Sequence, residues 1–228
     1  MRQITGFRSK KELVYDSLRA AILKGELKPG TRLIIDDLAS QLGVSQIPIR
    51  EALQQLQADG FVTIKPYVGA TVTEVHSGLV CEVFQLLEAM EIISGRAACQ
   101  QMSDEDLDEM EKRLREMDNL IDDLDRWSEE NIRLHQFICE RAGTPLVGAL
   151  MTKVVDHWER LRQLYLSDVF AHRVPEAQRQ HWEILRALRA RDPDLLEEVV
   201  RKHNRSALEA YTKYMESAGL MAPRQDTA

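Results

Sequence analysis

Between Asp36 and Gly60 the chain reads DDLASQLGVSQIPIREALQQLQADG, and apolar positions recur at helical spacing on either side of Gly43. Leu38, Ala39 and Leu42 give the first segment one apolar face. Gly43 can take the left-handed conformation that ends a helix, and Val44 is placed to plug the angle that follows. Ser45 is expected to cap a second helix with its hydroxyl. Pro48 falls early enough in that helix to cost little, and Ile49, Ala52, Leu53 and Leu56 repeat on one side. Two short amphipathic helices across a tight turn predict a helix-turn-helix.

The flanks carry compatible patterns. Upstream, Val14, Leu18 and Ile22 share a helix face that stops at Gly25 and a Pro29-Gly30 turn. Downstream, FVTIKPYVGATVTEV reads as two strands around a Pro66 to Gly69 turn, a wing beside the helices. The second helix turns Gln46, Ile47, Arg50 and Gln54 away from its apolar side. Amide and guanidinium groups near the start of such a helix suit base edges and phosphates in a major groove. DNA contacts are therefore expected from Ser45, Gln46, Ile47, Arg50 and Gln54, and from Tyr67 and Gly69 in the wing.

After His76, Ser77 and Gly78 the pattern becomes helical throughout. Leu79, Val83, Leu86, Met90, Ile93 and Ala97 mark a first helix. Ser103 with Asp106 forms a capping box for a second, whose seam runs Leu107, Met110, Leu114, Met117, Ile121 and Leu124. A third is expected from about Trp127 to Ala142, and a fourth from Pro145 to Ser167 with Leu146, Leu150, Val154, Leu161 and Tyr165. Pro175 is expected to open a fifth, and Asp192-Pro193 to cap and start a sixth that ends at Gly219. The expected fold is mainly α: a winged helix-turn-helix over residues 1–76, an all-helical six-helix bundle over 77–219, and a flexible tail over 220–228.

Composition narrows the class. The 228 residues are 44% hydrophobic and 29% charged, without an apolar run that would span a bilayer or form a signal peptide, so the cytoplasm is expected. Cys81, Cys99 and Cys139 are odd in number and lie in helical patterns, as buried free thiols do. The net charge of -7 opposes nucleic-acid binding until it is divided along the chain. Residues 1–76 hold ten Lys or Arg against eight Asp or Glu, and residues 77–228 hold twenty against twenty-nine. The first part offers a small positive charge, so a homodimer is expected to double its reach on DNA.

Polar residues interrupt the apolar stripes of the bundle. Asn131 and His135 lie one turn apart on the face of Trp127, Leu134 and Ile138. His181 shares a stripe with Ala177, Ile184 and Leu188, and His203 with Val199, Val200 and Ala207. A single such histidine reads as a hydrogen-bonded core residue. Three on three helices can be satisfied together by one divalent cation. Zinc suits imidazole ligands first, with nickel, iron or manganese also compatible.

Two resemblances follow from these residues. From Val14 to Val75 the chain resembles the DNA-binding domain of the GntR family of bacterial transcription regulators, through "I..G.L.PG..L", "LA..LGVS..P.REAL..L..DG" and the wing. Members usually have Arg where this chain has Gln46 and Val68, and some carry a base-contacting Arg where Asp36 stands. Residues 77–216 resemble the FCD domain of the FadR subfamily, near its VanR-like branch. The N-x3-H of Asn131 and His135, with His181 and His203 beyond, matches that domain's metal arrangement, where the first position is commonly Asp. The resemblance also implies a pocket for a small carboxylate. The family's anion-binding Arg, one turn before its Glu, falls by this reading on Phe84 before Glu88. Arg160 and Arg162, beside His157 and Tyr165, are then the candidate cations.

The expected function is a ligand-responsive regulator, a repressor of a pseudo-palindromic double-stranded operator, holding a divalent metal and a small organic acid. A helical metalloenzyme and a sensor of the metal itself are the alternatives.

Overall fold

The computed structural model of the chain describes residues 8–219, apart from the side chains of residues 77 and 165–167. The expected tail, 220–228, lies outside them. Two compact units divide between Val75 and His76.

The first unit is built as its periodicity dictates. Helix α1 (Lys10–Leu23) starts at a capping box in which Ser9 and Glu12 satisfy each other's backbone N–H groups. It buries Val14, Leu18 and Ile22. After β1 (Arg32–Leu33) come α2 (Ile35–Leu42) and α3 (Gln46–Ala58), joined at Gly43 with φ +64°. Only a residue without a Cβ adopts that angle at little cost, and it turns the chain into α3. The wing strands β2 (Val62–Lys65) and β3 (Gly69–Val72) pair antiparallel with Ile64 opposite Ala70, and β1 adds to the other side of β3. Ile49, Ala52, Leu53 and Leu56 of α3 join the α1 face, Phe61 and Val72 in one core, against which Val44 also packs. One local detail differs from expectation: the Ser45 hydroxyl makes no capping bond to α3.

Among its described residues the second unit holds six α-helices: α4 (Ser77–Gln101), α5 (Asp104–Asp118), α6 (Leu124–Arg141), α7 (Pro145–Leu161), α8 (Ser167–Arg189) and α9 (Pro193–Ser217). The Ser103–Asp106 box and the Asp192 cap form as read. Helix α4 runs through the centre, packing on α9, α7 and α6, while α8 packs on α9 and α5. Close approach of α4 and α9 needs Gly95, because a Cβ there would overlap the side chain of Leu196.

Three boundaries and faces differ from the pattern reading. Helix α5 stops at Asp118, and Leu124 instead begins α6, because Asp123 accepts the Arg126 N–H as a new cap. Pro175 does not open a helix but lies inside α8, which continues from α7 through a π-helical turn, Arg162–Leu166. The expected α4 stripe is also out of phase. Leu86 and Ile93 are 43% and 54% exposed, whereas Val80, Val83, Phe84, Leu87, Met90 and Glu91 are buried. A strict seven-residue repeat drifts from a 3.6-residue helix, and α4 is apolar on two sides.

Candidate functional site

In the first unit the exposed face of α3 carries the residues expected to meet DNA. Ser45, Gln46, Ile47, Arg50 and Gln54 are all exposed. Gln46 is not free to rotate: its amide donates to Asp36 Oδ1, and its oxygen accepts from Arg50 Nη2. Asp36 thus fixes the Gln46 amide, which in turn steadies the Arg50 guanidinium at the helix surface. At the wing tip Tyr67 takes φ +62° and Gly69 φ +105°, leaving Tyr67 fully exposed and Val68 55% exposed. The Arg32 guanidinium donates to the Val68 carbonyl and ties β1 to that tip.

In the second unit three histidines from three helices converge. One ring nitrogen from each of His135 on α6, His181 on α8 and His203 on α9 lies within 4.8 Å of the other two. His181 is completely buried, stacked at 5.7 Å on Trp127, and neither of its nitrogens has a hydrogen-bond partner. Burial, followed by the neighbouring imidazoles and Arg173, holds its pKa well below the ordinary histidine value. Burial does the same to His203, helped by His135 and Arg173. Neutral rings present lone pairs, which is the protonation state a metal ion needs.

The surroundings fix which nitrogen each ring offers. His135 Nδ1 lies 3.1 Å from Glu91 Oε1, and the other Glu91 oxygen accepts from Asn204 Nδ2 at 2.7 Å. A carboxylate so placed requires a proton on Nδ1 and leaves Nε2 as the ligand atom. His203 Nδ1 meets Gln180 Oε1 at 3.0 Å. The Gln180 nitrogen donates to Glu176, so its oxygen faces the ring and accepts the Nδ1 proton. Buried His181 with two orphaned nitrogens, and two neighbours locked as Nε2 ligands, fit a divalent metal. Asn131, one turn before His135, lines the same cavity as His135 and His203.

That cavity has a volume of ≈ 60 Å³. Phe84, Leu87, Val155, Trp158, Phe170 and Tyr211 supply apolar walls, while Asn131, His135, His203, Glu91, Asn204 and Arg173 supply a polar end. Phe84 therefore does line it, as a wall. The other effector candidates do not meet there. Arg162 is paired with Glu159 and Asp125 and lies over the Phe170 ring. Arg160 is buried and His157 half-buried on α7, and among the described residues neither lines the cavity. The side chain of Tyr165 lies outside the described residues. Glu88 also faces elsewhere, toward Arg201 and Arg205 on α9. The carboxylate on the site face of α4 is Glu91, and the residue one turn before it is Leu87.

Pattern reading missed Glu91, Arg173, Gln180 and Asn204. Glu91 is a charged residue in the true buried stripe of α4, the kind of signal the histidines gave. It was hidden by the competing stripe of Leu86 and Ile93. Arg173 was hidden by Pro175, which placed it before a helix rather than inside one.

Comparison with known proteins agrees with both units. Residues 10–72 match the bacterial regulatory proteins of the gntR family, and residues 82–206 match the FCD domain. An uncharacterized HTH-type transcriptional regulator of Streptomyces ambofaciens is 29% identical over 92% of this chain and 87% of its own. The HTH-type transcriptional repressor RspR of Escherichia coli is 27% identical over 83% of each. Escherichia coli McbR/YncC has the same fold, with a TM-score of 0.71 at 24% identity over 91% of this chain and 100% of that one. These proteins are regulators rather than enzymes, which sets aside the metalloenzyme alternative. The chain belongs to the GntR family of bacterial regulatory proteins, with an FCD domain as its second unit, and is a DNA-binding transcriptional regulator.

Proposed function

We propose that the protein is a cytoplasmic, homodimeric repressor whose FCD domain holds one divalent metal, zinc first, and releases the operator when a small organic acid binds beside it. The observation that carries the reading is the histidine cluster. A fully buried imidazole with two unpartnered nitrogens is costly, as at His181, and nothing in an inert core explains its convergence with two further imidazoles within reach of one ion. Among the described residues, no helix is long and apolar enough to cross a membrane.

The dimer is supported by the faces that fell out of phase. Leu86 and Ile93 on α4, with Leu146 and Leu150 on α7, are exposed on two helices that pack together. A surface of that kind suits a second copy, and two copies would present paired recognition helices to a pseudo-palindromic site. The repressor assignment is supported by the relative named as a transcriptional repressor.

Ligation would fall to His135, His181 and His203, with Asn131 as the neutral fourth position. The ion would supply a positive centre that attracts a carboxylate, while the apolar walls exclude water from it. A ligand that prefers one arrangement of the bundle would shift the population of DNA-competent dimers. The test is operator affinity measured with and without chelator, then with candidate acids. Release only by an acid in metal-loaded protein supports the reading. Release by chelation alone, with no acid effect, favours a sensor of the ion itself.

A further inference from the structure

The polar end of the cavity carries one more charge than the histidines explain. Arg173 on α8 lines it and is only 8% exposed. Its Nη2 is saturated, donating to Gln180 Oε1 at 2.6 Å, Ser206 Oγ at 2.7 Å and the His203 carbonyl at 3.2 Å. Its Nε and Nη1 are buried without any hydrogen-bond partner. The guanidinium is therefore clamped from one side by α8 and α9, and the clamp keeps it beside the His203 ring through the shared Gln180 oxygen. A buried guanidinium with unused donors and no carboxylate on it is expensive, and burial lowers its pKa accordingly. Arginine in this state is an anion receptor whose fixed donors match carboxylate oxygens.

The charge count then selects the ligand. Glu91 and Arg173 are the acidic and the basic residue in the cavity lining, and they cancel. An imidazole that ligates a metal through a ring lone pair does so as a neutral donor, and Asn131 adds no charge. A divalent ion on the histidines leaves two positive charges uncompensated in a low-dielectric pocket. At roughly 10–15 Å³ for each water-sized group, the cavity has room for about four to six such groups, which limits the ligand to a short one. Resting on the metal-and-acid reading above, we propose that the effector is a short dicarboxylate, one end directed to the metal and the other anchored by Arg173. Arg173 is thereby the residue that separates dicarboxylates from monocarboxylates, a role that neither Arg160 nor Arg162 is placed to fill.

The test uses full-length protein loaded with zinc, titrated calorimetrically with acetate, propionate, malonate and succinate, for wild type, Arg173→Met and Arg173→Lys. Zinc content should be about one per chain in all three. In wild type, malonate or succinate should bind at least about tenfold more tightly than either monocarboxylate. Arg173→Met should lose that preference while keeping its affinity for the monocarboxylates, and Arg173→Lys, which keeps the charge, should retain part of it. Far-UV circular dichroism and zinc content report whether each variant is folded. Equal affinity for succinate and propionate in wild type overturns the proposal, as does unchanged succinate affinity in folded Arg173→Met. Wild-type protein that takes up no zinc overturns the metal reading and the charge count with it, whereas zinc uptake without dicarboxylate preference overturns this inference alone.

Discussion

Replacing Glu91 by Gln isolates the charge behind His135 with almost no change of shape. Glu91 is 9% exposed and accepts from both His135 Nδ1 and Asn204 Nδ2. A glutamine has one acceptor and one donor for these two partners. Asn204 also donates to the Val200 carbonyl within its own helix, so its amide orientation is set and it retains the acceptor oxygen. The new Nε2 then faces His135 and can be satisfied only if the ring moves its proton from Nδ1 to Nε2. The nitrogen turned toward His181 and His203 would lose its lone pair. Loss of such an orienting partner costs about 10–100-fold in metal affinity, or about 1.4–2.7 kcal/mol. Folding should suffer less, because both hydrogen bonds are replaced. Glu91→Ala, by contrast, strands two buried donors at about 1–3 kcal/mol each. Competition with a chromophoric chelator gives the zinc affinity, and thermal melts of the metal-free protein give the stability. Adding Asn131→Asp should recover much of the lost affinity, since it returns a negative charge to the site. Zinc affinity in Glu91→Gln indistinguishable from wild type would refute the orienting role and the tautomer argument together.

Other outcomes follow from the same structure. Arg50→Ala should weaken operator binding by about 1–3 kcal/mol in a gel-shift titration and lower its salt dependence if the contact is to phosphate; unchanged affinity would remove Arg50 from the interface. Leu86→Glu with Ile93→Glu should leave the melting temperature nearly unchanged, because both side chains are already exposed, yet give monomers by analytical ultracentrifugation. A dimer that persists places the interface elsewhere. In metal-free protein, His181 and His203 are held neutral by burial, so the unfolded chain binds more protons than the folded one below about pH 6.5. Their stabilising contribution is present above that pH and is lost as pH falls below it. Melts from about pH 7.5 to about 5.5 should show a shallower loss in His181→Leu than in wild type, and equal slopes would contradict the assignment.

The sequence by itself settled what local rules control. Gly43 between two amphipathic segments, the alternating wing around Pro66 and Gly69, and the caps at Ser103 and Asp192 all depend on neighbours within a few residues. The winged helix-turn-helix and the all-helical second unit were legible for that reason. So were His135, His181 and His203, because a histidine on an apolar stripe stands out against its neighbours. Tertiary structure decided the phase of α4, where two apolar stripes compete and only packing on α6, α7 and α9 shows which one is core. It also decided that Pro175 sits inside a helix running on from α7 through a π-helical turn, against the residue's own preference for a first turn. Both choices bear on the site. The first turns Glu91 toward His135, and the second makes Arg173 part of α8, where Gln180 and Ser206 hold it at the cavity. Glu91 and His135 lie 44 residues apart in the chain, and Arg173 and Ser206 33, on helices whose faces meet only once the bundle has closed.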